Sequence, residues 1–496
     1  MTMFTREYML THAAMRDKNC DGKFITGVHS TGIYCLPSCP ARNPKAENIR
    51  FYRTEREAKK AGLRACKRCK PDDFYRGYDE DLDLVRELMA RVRKEPQKYP
   101  TAAAVTRSSG IGNTKLNQLF RKHYHRTPAE YLAQTKIQAA AELLDQPGAG
   151  VLDAALGAGF ENSSTFHLQF KRTMFLSPGK YKNLGADNSF TLSLPEDYRA
   201  PEIVAYLTRD PTESDNRLTD KGMAKALEFE GTPAVMYLDF GNGEVQVRLE
   251  GMAPNRANMR FAHRIGLRLL GLQMDPKPFL TRIQSEPKLA PLIVGREGLR
   301  VPQTLDFFEG LVWTIVGQQI NLNFAYRLRS TLIERWGKPS VDGLHTHPSP
   351  QAIANLDYAD LTGLQFSKRK AEYLIDTARL VVEGKLQPER WEHAGAGEIE
   401  KELCAIRGIG SWTARYLLLR CFGFADSFPL GDAGLAAALQ SYFSLEKKPD
   451  RETCTTLMEP FSPYRGLASF YLWQYLKERT GKTTASPIPW NRGKTA

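Results

Sequence analysis

Five of the eight cysteines in this 496-residue chain lie near its start, and four of them form two close pairs. Three residues separate Cys35 from Cys39, two separate Cys66 from Cys69, and 26 lie between the pairs. Two thiol pairs spaced this way can close a tetrahedron around Zn2+, and a small domain gains folding free energy when they do. The same ion keeps a thiol deprotonated, and the thiolate is the nucleophilic form of cysteine. The spacing alone favours a closed structural site, since most four-cysteine sites are closed and inert, and the residues around the thiols change that weighting. Cys20 falls outside the pattern and reads as an ordinary thiol. Far along the chain an apolar helical segment meets Gly408-Ile409-Gly410 and restarts at Ser411-Trp412-Thr413-Ala414. Such glycines permit a tight turn whose amides can face a phosphate, and the following helix start adds a favourable dipole. Asp432 follows Pro429 and Gly431 at the start of another predicted helix, where the local sequence reads as an N-cap.

The charge distribution shows which polymer these groups would meet. Residues 1–186 hold 31 Lys/Arg against 19 Asp/Glu, a net of +12, while the remaining residues carry a net of only +1. A basic excess confined to one part implies a polyanion partner, because neutralising phosphates releases counterions. Nucleic acid is the leading candidate. A membrane surface is not expected, since no basic amphipathic helix, lipidation signal or apolar run of about 18 residues accompanies the charge. The start, MTMFTREYML, lacks the layout of a signal peptide, so the expected compartment is the cytoplasm. With 42% hydrophobic and 25% charged residues, the length suggests several ordinary globular domains.

Two helix-turn-helix units fit the basic segment. In VLDAALGAGFENSSTFHLQFKRTMFLSPGKYK (151–182) an apolar helix ends at Gly157 or Gly159, and Asn162, Ser163 and Ser164 offer N-caps for the next. The span from Thr101 to Tyr131 repeats the plan with NTKLNQLFRKHYHRTPAEYL. Both copies close with an aromatic-basic helix and a Thr-Pro or Ser-Pro stop. From about Asp187 the alternation in SFTLSLPEDY and AVMYLDFGNGEVQVRLEG, with its GNG turn, predicts antiparallel strands. From Thr304 the pattern is helical, beginning with LDFFEGLVWTIVGQQINLNFAYRLRSTLIERWG.

Three resemblances fall on these segments. FITGVHSTGIYCLPSCPARNPKAENIRFY and EAKKAGLRACKRCKP resemble the methyl-acceptor zinc domain of the bacterial adaptive-response regulators. The resemblance implies that Cys35 accepts a methyl group from a DNA methylphosphotriester, with Cys39, Cys66 and Cys69 completing a single four-cysteine zinc site. Thr31, Arg42, Arg64 and Lys67 become candidate phosphate contacts. The helical repeat resembles the AraC-type DNA-binding domain. It offers Asn113, Lys115, Asn117, Gln118 and Arg121 in one helix, and Ser163, Ser164, His167 and Gln169 in the other, to successive major grooves. Residues 187–482 resemble the DNA-3-methyladenine glycosylase II family of the helix-hairpin-helix superfamily. There Asp432 is the catalytic carboxylate, Trp412, Tyr416 and Trp473 line the base pocket, and Gly408 and Gly410 hold a phosphate. Bifunctional relatives carry Lys where this chain has Trp412, which implies a monofunctional glycosylase. The wedge position, often Leu, is Gln319 in GQQI, with Gln318 and Ile320 beside it. No Pro-Cys-His-Arg motif of an O6-methylguanine methyltransferase occurs.

Together these readings give a multidomain α+β chain. Its expected parts are a small zinc-binding α/β methyl-acceptor domain (1–78), an all-α double helix-turn-helix domain (79–185), an antiparallel α+β subdomain (186–300), a helical helix-hairpin-helix glycosylase core (301–482) and a flexible tail (483–496). The expected partners are alkylated DNA, promoter operator DNA and RNA polymerase, met by a monomer. Two rivals stay open. One is a methylation-sensing transcription factor whose second half only binds DNA, and the other is a constitutive repair enzyme with structural zinc.

Overall fold

The computed structural model describes residues 4–76 and 80–481, so the expected tail at 483–496 lies outside the described residues. The chain divides into two compact units, Met1–Leu84 and Val85–Ala496.

The smaller unit is built on four short strands, β1 (Ile25–Val28), β2 (Ile33–Cys35), β3 (Ile49–Tyr52) and β4 (Arg64–Ala65), in the order β3-β1-β2-β4. β1 runs antiparallel to β2 and β3, and β4 runs parallel to β2. Helix Glu55–Lys60, capped by the Thr54 hydroxyl, closes a core of Ile25, Tyr34, Ala58 and Leu63. Gly27 is required there because a Cβ would stand 2.5 Å from the Tyr52 ring and 2.6 Å from Leu63. The parallel pairing places Tyr34 beside Ala65, so Cys35 and Cys66, the next residue on each strand, become neighbours.

The larger unit opens with the two helix-turn-helix pairs, Ala102–Ser109 with Asn113–Tyr124 and Val151–Gly157 with Ser163–Met174. Both second helices end on a left-handed residue, His125 or Phe175. Thr127 and Ser177 then act as N-caps, so each hydroxyl-Pro pair starts a helix as well as stopping one: Pro128–Leu144 in the first copy and Pro178–Lys182 in the second. Asn162 is the cap of Ser163–Met174, accepting from the Thr165 amide at 3.0 Å.

Strands β5 (Ser189–Ser193), β6 (Asn216–Thr219), β7 (Gly222–Phe229), β8 (Thr232–Gly241) and β9 (Glu244–Glu250) form an antiparallel sheet in the order β5-β9-β8-β7-β6. The GNG turn makes a two-residue hairpin, with Gly241 paired to Glu244 and positive φ at Asn242 and Gly243. Helix Arg256–Leu269 packs on this sheet, and the same core continues into the second helix-turn-helix through Phe166, Phe170 and Tyr181. Residues on the two sides of position 185 thus share one interior. Across it, Arg260 stacks 3.5 Å from the Tyr181 ring centroid and pairs with Asp145 at 2.7 Å.

The remaining helices form the core that holds the hairpin, chiefly Phe307–Val316, Leu322–Trp336, Lys368–Val382, Ala396–Cys404, Ser411–Arg420, Ala433–Tyr442 and Arg465–Thr480. The first helix-turn-helix rests on this core. Ahead of it in the chain Arg86 pairs with Glu398 at 2.8 Å, and at the end of its second helix His125 Nδ1 accepts from the Asp426 amide at 3.0 Å. Among the described residues no helix is long and apolar enough to cross a membrane.

One buried ionic network joins sheet to helices. Lys225 on β7 reaches Asp215 at 2.5 Å and Glu309 at 3.0 Å, and Arg329 binds Asp215, Glu309 and Asp210. Burial alone would raise the Asp215 carboxyl, but Arg329 and Lys225 hold it far below the usual carboxylate range. A carboxyl depressed in the folded state stabilises above its unfolded value near pH 4, and that stability is lost as pH falls. Asp215→Asn is therefore expected to cost about 3–5 kcal/mol near neutral pH, because it leaves buried positive charge uncompensated. Thermal unfolding of the purified chain checks this, and an unchanged melting temperature would mean that Glu309 and Asp210 suffice.

Candidate functional site

Cys35 ends β2, Cys66 follows β4, and a turn after each strand supplies Cys39 and Cys69. Their four sulfur atoms all lie within 4.8 Å of one another. The Leu36 amide donates to Cys69 and the Arg68 amide to Cys66, each at 3.4 Å, as suits sulfur carrying negative charge. Protein groups alone drive these thiols apart: the hydrogen bond with Cys39 pushes Cys35 up, and the same contact pulls Cys39 down. A divalent cation removes the conflict by drawing all four sulfurs to the thiolate. The donor set and its spacing fit one Zn2+. Cys35 is nearly buried, while Thr31, Arg42, Arg64 and Lys67 are exposed. Arg68, next to Lys67 between the same two ligands, is exposed as well and was not singled out from the sequence.

At the second site Asp432 is indeed an N-cap, of helix Ala433–Tyr442, with Oδ1 accepting from the Leu435 amide at 2.7 Å. Two indoles complete its surroundings. Trp412 Nε1 donates to Oδ2 at 3.1 Å and Trp473 Nε1 donates to Oδ1 at 3.3 Å. Trp412 and Tyr416, one turn apart on helix Ser411–Arg420, stack with centroids 5.7 Å apart. Another turn on, Arg420 donates to the Tyr416 hydroxyl at 3.2 Å and to that of Tyr206. The four-residue spacing of Trp412, Tyr416 and Arg420 was a readable signal for Arg420. Tyr206 arrives from helix Ala200–Leu207, which no local pattern links to this site.

The hairpin stands at the start of the Trp412 helix. Gly408 has φ +92° and packs under Tyr373, and Gly410 is the N-cap residue of Ser411–Arg420. Gln318 Nε2 donates to the Gly408 carbonyl at 3.0 Å, tying the GQQI segment to the hairpin. That segment separates helix Phe307–Val316 from helix Leu322–Trp336, and Gln319 adopts φ +56° on the exposed tip. Leu322, 62% exposed on the same turn, was overlooked because it reads as part of an apolar helical stripe.

In the helix-turn-helix pairs Asn113, Lys115, Ser163 and His167 are exposed. His167 Nδ1 donates to the Ser163 carbonyl at 2.8 Å, and Asn117 donates to the carbonyl of Asn113 at 2.9 Å. Arg121 lies half-buried with Nη1 3.4 Å from the Tyr464 hydroxyl of the helical core.

Family comparisons cover these regions in turn. Residues 9–72 match the metal binding domain of Ada, 105–183 a helix-turn-helix domain, and 312–463 the HhH-GPD superfamily base excision DNA repair protein. The chain is 30% identical to AdaA of Bacillus subtilis, a bifunctional transcriptional activator/DNA repair enzyme, over 34% of this chain and 78% of that protein. The chain belongs to the family of bifunctional transcriptional activator/DNA repair enzymes. A Mycobacterium tuberculosis relative described as a probable member of the same kind is 26% identical over 93% of this chain and 95% of its own length. YfjP of Bacillus subtilis is 40% identical over 37% of this chain, which spans 64% of that protein. The fold of the second half is that of the 3-methyladenine DNA glycosylase from Archaeoglobus fulgidus, at TM-score 0.52 and 22% identity, covering 59% of this chain and 99% of that one. This chain thus matches a metal-binding, a helix-turn-helix and a base-excision repair family in succession.

The hairpin generates a direct test. A Cβ at Gly408 would stand 2.4 Å from the Tyr373 ring at a φ that side chains rarely adopt. Gly408→Ala is expected to shift the hairpin and weaken binding to a short duplex about tenfold or more, at a stability cost of about 1–3 kcal/mol. Fluorescence anisotropy beside a melting curve checks it, and unchanged affinity would remove the hairpin from the DNA interface.

Proposed function

We propose that this chain repairs alkylated DNA in two chemistries and links the damage to transcription. The observation that carries the excision reading is the Asp432 carboxylate, fixed by two indole N–H groups and a helix amide beside a cluster of aromatic rings. A base flipped from the duplex enters that cluster, formed by Trp412, Tyr416 and Trp473. N-alkylation already makes the base a good leaving group. As the N-glycosidic bond breaks, positive charge develops on the sugar, and Asp432 stabilises it while orienting the water that attacks C1′. The products are the free base and an abasic site. Trp412 offers no amine for a Schiff base, in keeping with a monofunctional hydrolase. Gly408 and Gly410 receive a backbone phosphate, and Gln319 with its neighbour Leu322 fills the gap left by the flipped base. The presence of Asp432 with both indoles favours this reading over a remnant that only binds DNA.

In the zinc module Cys35 Sγ attacks the methyl carbon of a methylphosphotriester. A C–S bond forms, the C–O bond breaks, and the phosphodiester leaves with the electron pair. Held by Cys35, Cys39, Cys66 and Cys69, Zn2+ would keep the Cys35 sulfur in the thiolate form at neutral pH. Four thiolates around it carry a formal −2, methylation makes this −1, and repulsion from DNA phosphate falls. Thr31, Arg42, Arg64 and Lys67 hold the backbone during the attack. The methylated chain then binds operator DNA through Asn113, Lys115, Arg121, Ser163 and His167 and recruits RNA polymerase. Two helix-turn-helix units in one chain provide the paired contacts that dimeric regulators obtain from two copies, which supports action as a monomer. Reactive thiols of this kind persist in the reducing cytoplasm.

One experiment separates the parts: incubation with a methylated duplex, measuring released bases and the mass of the Cys35 peptide. Asp432→Asn keeps the cap but removes the charge, so single-turnover excision is expected to fall about 10²–10³-fold with duplex affinity retained. Near-parental excision would reduce Asp432 to a helix cap. Cys35→Ser is expected to abolish the added methyl while excision continues, and loss of both activities would contradict separate chemistries.

A further inference from the structure

The second helix of the second helix-turn-helix carries an apolar side chain on the face a groove-reading helix turns to DNA. In helix Ser163–Met174, Phe166 and Phe170 are fully buried, and Met174, one turn further, is half-buried. Ser164, Leu168 and Arg172 are also one turn apart and all exposed. Each stands two residues, a rotation of about 200°, from a member of the buried row, so this stripe is the outer crest of the helix. Leu168, at its centre, is 71% exposed, and no described leucine is more exposed. Its surroundings are polar and basic. Lys171 and Arg172 occupy the last turn, and Arg172 reaches Asp275 at 3.3 Å with its side chain still 77% exposed. His167, beside the crest, has Nδ1 committed to the Ser163 carbonyl at 2.8 Å.

Isolated apolar side chains are common on protein surfaces, but the position of this one restricts what can cover it. In a helix-turn-helix the N-terminal half of the second helix meets base edges in the major groove. Leucine brings neither donor nor acceptor to those edges. The one apolar group they present is the 5-methyl of thymine. Packing Leu168 on that methyl takes apolar area of both partners out of water, and Lys171 and Arg172 suit the flanking phosphates. Leu152 and Leu156 are exposed as well, but they stand on the first helix of the pair, which crosses the backbone instead of entering the groove. We propose that Leu168 packs on a thymine methyl in the operator half-site read by this helix and selects thymine at that position.

The proposal rests on the operator-binding reading, and its test separates the two. Short duplexes are selected from a random-sequence library by the full parent chain at one fixed salt concentration. In the selected duplex each thymine is then replaced in turn by deoxyuridine, which removes only the 5-methyl, and affinity is measured by fluorescence anisotropy for the parent and Leu168→Ala. Leu168 is exposed and alanine favours the helix, so the variant keeps its fold. At one thymine the replacement is expected to weaken the parent about three- to fivefold, the worth of one buried methyl, and to change Leu168→Ala by less than about twofold. At every other thymine the two proteins should respond alike. Equal discrimination by both proteins at all thymines, or none by the parent at any, overturns the assignment while leaving operator binding intact, and Leu168 then belongs to a protein-docking surface. If the parent selects no sequence from the library, the operator reading itself fails and the thymine contact falls with it.

Discussion

The second half of the molecule is organised around the orientation of one carboxylate. A side chain at a helix N-cap is ordinarily satisfied by the first amides of its own helix, and Asp432 makes that bond through Leu435. Its remaining lone pairs accept from Trp412 and Trp473, which come from helices on either side of it in sequence. Three helices must therefore be in register for the carboxylate to point one way. The hairpin glycines, the packing of Gly408 under Tyr373 and the Gln318 contact all serve the placement of helix Ser411–Arg420, which delivers Trp412. In the excision chemistry proposed above, charge held ready at a fixed place needs no reorganisation when the sugar becomes positive, which is the basis of electrostatic catalysis.

The same helix carries its influence inward. Arg420 binds the Pro302 carbonyl and the hydroxyls of Tyr206 and Tyr416, so the floor of the cluster is fixed to the sheet subdomain. Beside it the Lys225–Asp215–Arg329–Glu309 network pins β7 to two helices. Buried ion pairs of this kind add little net stability relative to apolar packing, but losing one partner is costly. The helix-turn-helix pairs belong to the same unit, through the core shared by Phe166, Phe170 and Tyr181 and through Arg121 against Tyr464.

Chemistry written in short motifs was legible in the sequence. The spacing of the four zinc-site cysteines, the GIG turn, the NG hairpin and the N-cap at Asn162 each depend on residues within a few positions, and each stands where the sequence placed it. The position of the helix break at Gln319 was not legible, because apolar periodicity continues across it and only tertiary contact with Gly408 fixes the bend. Tyr206 was missed for a related reason: it lies more than 200 residues before Trp412 and joins it only through the fold. The core shared across position 185 was hidden by a change in composition that marks the start of strands without marking the end of packing.

The central claim is that the indoles act through Asp432 and not merely as stacking surfaces. A double-mutant cycle tests it most directly, with Trp412→Phe and Trp473→Phe introduced together in the parent and in Asp432→Asn. Phenylalanine keeps an aromatic ring, smaller than the indole, and removes the N–H donor. Single-turnover excision from a methylated duplex should fall about a hundredfold when the parent loses both donors, and hardly further when Asp432→Asn loses them. Equal losses in the two backgrounds would contradict the account and leave the tryptophans as base contacts alone.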